Sequence, residues 1–117
     1  MSVRIDKINT EMRKQLMRII QQELDDPNIG LVTITKVDTK PDLEEAKVYF
    51  SLLDEKKHQK AKEALDKMKG FIKVILAKKI RLKKTPELIF QFDKSIKYSL
   101  DIYQKIEELK DEENKEE

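Results

Sequence analysis

Apolar residues recur at Ile5, Ile8, Met12, Leu16, Ile19, Ile20 and Leu24 with steps of three and four, the spacing of one buried helix face. The pattern predicts a helix from Ile5 that ends before Pro27, where Asp26-Pro27-Asn28 and Gly30 supply turn chemistry. The β-branched run 31–37 then reads as a strand, and 39–42 as a loop. Ala46, Val48, Phe50 and Leu52 alternate with Glu45, Lys47, Tyr49 and Ser51, the period-two pattern of a second, half-buried strand that pairs antiparallel with the first. Asp54 is placed to cap a helix carrying Ala61, Ala64, Leu65 and Met68, and helical spacing continues past Gly70 to about Lys83 through Phe71, Ile72, Ile75, Leu76 and Ile80.

A glycine inside a helix costs about 1 kcal/mol against alanine, so Gly70 and its neighbour Met68 are expected to mark a kink between two helical segments. Pro86 closes the helical region, and 88–92 reads as a third strand. Ser95 is positioned to cap a last amphipathic helix bearing Ile96, Leu100, Ile102, Tyr103, Ile106 and Leu109, before an acidic end from Asp111 to Glu117. The expected organisation is one domain over 1–100, followed by a helical and then acidic, flexible tail over 101–117. No internal repeat interrupts this order.

Charge changes the picture more than composition does. The 117 residues carry a net charge of only +2, with 41% of positions charged, yet 67–84 contains no acid and holds Lys69, Lys73, Lys78, Lys79, Arg81 and Lys83. Arg4, Lys7, Lys14 and Arg18 form a second cationic ridge, one residue displaced from the first apolar stripe and interrupted by Glu11. Two basic ridges, each beside a core face, lie on the same side of the sheet in a two-layer domain and point to a polyanion partner. Lysine predominates over arginine, which favours neutralising a phosphate backbone over bidentate reading of bases.

Other chemistry has little support. The chain has no cysteine, so it offers neither a disulfide framework nor a thiolate metal site, and no apolar run long enough to span a bilayer; a soluble, cytoplasmic protein is expected. His58 lies among lysines at a helix start and reads as a surface residue, and Gly30 and Gly70 are too far apart for a phosphate-cradling loop. Neither a catalytic constellation nor a cofactor or metal site is expected. Phe71, Phe90 and Phe92 fall on predicted core faces, whereas Tyr49, on the polar face of its strand, is open to cross-strand packing or to stacking on a base.

Helix, two strands, two helices and a strand is the order of the type II KH fold, an α+β arrangement with a three-stranded sheet covered by helices on one face. KH domains grip single-stranded nucleic acid through a Gly-x-x-Gly loop, and Gly70 alone stands at that junction here. The chain closely resembles the ribosome-binding factor A family. The resemblance runs from Arg4-Ile5 through Asp26-Pro27, Val32 to Val37, Asp42-Leu43, Ala46 to Ser51, Gly70-Phe71-Ile72, Leu82, Pro86-Glu87-Leu88, Phe90 and Asp93-Lys94-Ser95. In that family the interhelical junction is Ala-x-Gly, and Met68 stands at the alanine position.

The resemblance implies a non-enzymatic bacterial assembly factor that binds the immature 30S subunit and its 16S rRNA. Such a factor assists late maturation and 5′-end processing, especially in the cold. It further implies binding to free 30S rather than 70S particles, by a monomer. The competing expectation is a protein-interaction module that docks through its C-terminal amphipathic helix.

Overall fold

A computed structural model describes residues 3–29, 32–95 and 106–107. Its elements run α1 (Val3–Gln22), β1 (Thr33–Thr39), β2 (Glu45–Ser51), a 3-10 turn (Glu55–Lys57), α2 (His58–Lys79) and β3 (Glu87–Phe92). The mixed sheet has the order β1-β2-β3, with β1 antiparallel and β3 parallel to the central β2. The parallel pair requires a crossover, which α2 provides.

The stripe expected of α1 is its core face. Ile8, Met12, Leu16, Ile19 and Ile20 are buried, while Ile5 and Leu24 pack at the margin. They meet Ile34, Val37, Ala46, Val48, Phe50, Leu88 and Phe90 from one face of the sheet. The other side of α1 protects an edge. Thr39 N–H donates to Asn9 Oδ1 at 2.9 Å, and Arg13 Nε–H donates to the Ile34 carbonyl at 3.2 Å. Side chains one turn apart thus occupy backbone groups that an edge strand otherwise leaves open to another chain.

α1 ends at Gln22, before Pro27 as expected, and Asp26 organises an Asx turn in the segment expected to turn, accepting from Asn28 N–H at 2.8 Å. The strand boundaries are what differ from the sequence expectation. β1 lies two residues later than expected, and its register with β2 shifts between Ile34 and Lys36, so Thr35 is a bulge residue. Thr39, assigned to a loop by sequence, ends the strand and is buried. Leu43 holds a positive φ of 61° in the β1–β2 turn, where its N–H donates to the Lys40 carbonyl. Its side chain packs against the core, which offsets the cost of a left-handed leucine.

α2 is a continuous helix from His58 to Lys79 that runs through Met68 and Gly70, the positions at which a kink is expected from sequence. Burial of Ile72 and Leu76 beyond the glycine holds the second half in place against the propensity loss. It also ends four residues before Lys83. Ile80 is already extended, at φ −123° and ψ 124°, so Arg81 and Lys83 lie in the connection to β3. Phe71, expected in the core, is 48% exposed.

At the other end, Asp54 caps as expected, accepting from Lys56 N–H ahead of the 3-10 turn. Just after β3, both the N–H and the hydroxyl of Ser95 donate to Asp93 Oδ1, so here the serine donates and the aspartate is the acceptor. The expected C-terminal amphipathic helix and acidic tail, apart from Ile106 and Glu107, lie outside the described residues, as does the boundary at 100 and 101.

Candidate nucleic-acid interface

The last turn of α2 and the chain after it meet α1, and this crossing gathers the two cationic ridges. On one side of it, Arg4 and Lys7 from the start of α1 face Arg81 across a cleft of about 420 Å³. Ile8, Ile80 and Leu82 supply its apolar lining, and Glu11 its one carboxylate. On the other side, Arg18 and Lys79 share a cleft of about 430 Å³ with Gln15, Gln22 and Glu23. Because Lys79 and Ile80 are consecutive, the two clefts adjoin. Cations separated by more than sixty residues are thereby brought together.

Local chemistry explains why charge collects here. Lys78 and Lys79 occupy the final turn of α2, where cations are favoured by the helix dipole and the unsatisfied carbonyls. Beyond them, Ile80-Arg81-Leu82-Lys83 alternates with period two, so the extended chain turns Ile80 and Leu82 towards the core margin and leaves Arg81 and Lys83 exposed.

The ten cations expected to bind are not equivalent. Lys69 lies 3.8 Å from Asp66, and Lys73 Nζ donates to Glu87 Oε2 at 3.0 Å. The hydrogen bond from Lys73, with its charge and that of Lys69, holds the Glu87 carboxyl below its ordinary range. These two lysines are committed to acids on the α2 and β3 surface. Arg4, Lys7, Lys14, Arg18, Lys78, Lys79, Arg81 and Lys83 make no ion pair within 4.0 Å among the described residues. Elsewhere Lys40 pairs with Glu45, Lys62 with Asp66 and Lys84 with Glu44. Such exposed pairs contribute little to stability, but they cancel charge locally, whereas the cations lining the α1–α2 crossing make no such pair among the described residues.

The other candidates resolve differently. The His58 ring stacks on Phe92, with centroids 4.6 Å apart, and its Nδ1 lies 2.7 Å from the Glu55 carbonyl, so it joins the start of α2 to the end of β3. Tyr49 is half-buried on the face of the sheet opposite the core packed by α1 and α2, with Lys36 Nζ 5.8 Å from its ring centre. Among the described residues no group of three or more His, Cys, Asp or Glu is placed to hold a metal ion, and no helix is long and apolar enough to cross a membrane.

In the sequence Glu11 stands only as an interruption of a basic ridge, and the apolar cleft beside it is not evident. The alternation from Ile80 to Lys83 was the available signal, since it marks extended chain with alternate residues turned to the core.

The ribosome-binding factor A family model matches residues 4–106. A ribosome-binding factor A from Macrococcus caseolyticus is 41% identical over 110 residues, which is 93% of this chain and 96% of that one. The crystal structure of ribosome-binding factor A from Thermus thermophilus superposes with a TM-score of 0.69 at 25% identity, covering 74% of this chain and 93% of that one. A homology model of the Thermus thermophilus factor, fitted into a cryo-EM map of its complex with the 30S subunit, superposes with a TM-score of 0.63 at 26% identity, covering 74% and 91%. The mixed three-stranded sheet, the helices packed on it and the match along nearly the whole sequence agree: this chain belongs to the ribosome-binding factor A family.

Proposed function

We propose that this protein is a non-enzymatic assembly factor that binds the immature 30S subunit through phosphates of 16S rRNA. It assists late maturation and 5′-end processing, above all in the cold, and acts in the cytoplasm as a monomer on free 30S rather than 70S particles. The observation that carries the reading is the convergence of Arg4, Lys7, Arg18, Lys79 and Arg81, none of which forms an ion pair among the described residues, on the two adjoining clefts. The 30S complex of a Thermus thermophilus relative with the same fold supports the choice of polyanion.

The physical account is preferential binding. Cations held on a folded scaffold release counterions from the phosphates they meet, and the rRNA conformation that presents phosphates at that spacing is bound most tightly and becomes more populated. Lys14, Lys78 and Lys83 extend the cationic surface, while Lys69 and Lys73 contribute less because acids already hold them.

Co-sedimentation with purified 30S, 50S and 70S particles at 50 and 200 mM salt tests this. Binding to free 30S alone is expected, with affinity falling about a thousandfold across that range for about six phosphate contacts. Equal binding to all particles, or a flat salt response, overturns the reading. A complex that survives RNase points instead to docking on a protein.

A further inference from the structure

Phosphate contacts need only exposed charge, whereas the cleft between the start of α1 and the segment after α2 has an apolar lining as well. Ile8 is buried, and Ile80 and Leu82 are half-buried at the cleft. At about 420 Å³ it lies within the range of small-ligand sites and has room for a nucleobase with its sugar. Four of the 25 cationic residues are arginines, and two of them, Arg4 and Arg81, line this cleft. Lysine would serve for charge alone; a guanidinium adds a plane on which a base stacks.

Glu11 is the informative exception. A carboxylate weakens a site for phosphate but is the acceptor suited to a base edge that carries an amino group. Its Oε1 accepts from Gln15 Nε2 at 2.9 Å, which holds the side chain in place, and its second oxygen has no hydrogen-bond partner among the described residues. We propose that this cleft takes one unstacked base of single-stranded RNA, stacked against Arg81 or Arg4 over the aliphatic lining, with Glu11 accepting from its amino group. Cytosine, adenine and guanine present such a group. Uracil presents two carbonyl oxygens around a single N–H and is disfavoured. The inference rests on the RNA-binding reading above and adds base selectivity to it.

The test uses the full chain and nine-nucleotide RNAs of the form U4-X-U4, with X as C, A, G or U, followed by fluorescence anisotropy. An amino-bearing base at X is expected to tighten binding roughly 5- to 10-fold over U. Glu11→Gln should reduce that preference below about twofold, because an amide both donates and accepts. Arg81→Lys, which keeps the charge, should leave affinity for the all-U strand nearly unchanged and diminish the gain from X. Equal affinity for the four strands overturns the proposal, as does a preference that survives both substitutions. A chain that sediments with 30S but treats the strands alike defeats base selection alone. One that discriminates the strands but ignores 30S defeats the ribosomal reading alone.

Discussion

The Thr35 hydroxyl donates to Asp93 Oδ2 at 2.6 Å, joining the bulge of β1 to the end of β3 across the central strand. Asp93 is otherwise fully engaged: its N–H donates to the Phe50 carbonyl at 2.7 Å, and its Oδ1 receives both donors of Ser95. The Ser95 and Thr35 hydrogen bonds hold its carboxyl below the ordinary aspartate range.

Asp93→Asn is therefore expected to destabilise the fold by about 1–2 kcal/mol near pH 7, read from urea denaturation. An aspartate whose folded pKa is depressed stabilises above its unfolded value, and that contribution disappears as pH falls through the folded one. The gap between wild type and variant should thus be constant at neutral pH and shrink below about pH 4. A gap that grows on acidification would contradict the hydrogen-bonding account.

Exposed Phe71 and buried Ile72 give a direct check on the phase of α2. Phe71→Ser and Val74→Ser, at 48% and 56% exposure, should each change stability by less than about 0.5 kcal/mol. Ile72→Ala should cost about 2–5 kcal/mol. Thermal or urea unfolding of the three variants checks the ranking, and a large loss at Phe71 would restore the core position expected from sequence.

That expectation failed for a physical reason. Between Phe71 and Leu76 every residue except Lys73 is apolar, and a single polar position does not set the phase of the buried face. The face is instead set by Ala61, Leu65, Met68, Ile72 and Leu76, a stripe visible only when the helix is taken as continuous through Gly70. α1 and β2 were legible because their periodicities are clean, whereas β1 was displaced by the bulge at Thr35, which no propensity marks. At the site, sequence named the cations but could not separate free from paired. The partner of Lys73 is Glu87, on a strand 14 residues away, and the clefts exist only once α2 crosses α1.

Paired and free lysines should differ in salt dependence. Lys79→Ala removes a cation with no ion pair among the described residues and is expected to flatten the log-affinity against log-salt slope for 30S by about 1, as loss of one phosphate contact does. Lys73→Ala frees Glu87 and should leave the slope nearly unchanged. Equilibrium binding at four salt concentrations separates the two cases, and equal slopes for both variants would show that pairing does not sort these residues.

Gly70 has no role that the folded chain accounts for. Its φ is not positive, it is exposed, and a Cβ added there would meet nothing within 4 Å. Gly70→Ala should therefore stabilise the protein by about 0.5–1 kcal/mol, by lowering the entropy of the unfolded chain and favouring the helix. The exposed outer face of α2 also includes Lys67 and Val74, three residues before and four after the glycine, with Lys78 one turn further on and Phe71 beside the glycine. If a bend at Met68–Gly70 forms on binding, or a ligand backbone approaches this face, the alanine variant should be more stable in urea and weaker in co-sedimentation with 30S. If binding is instead retained with the added stability, neither the bend nor a close approach at Gly70 is used.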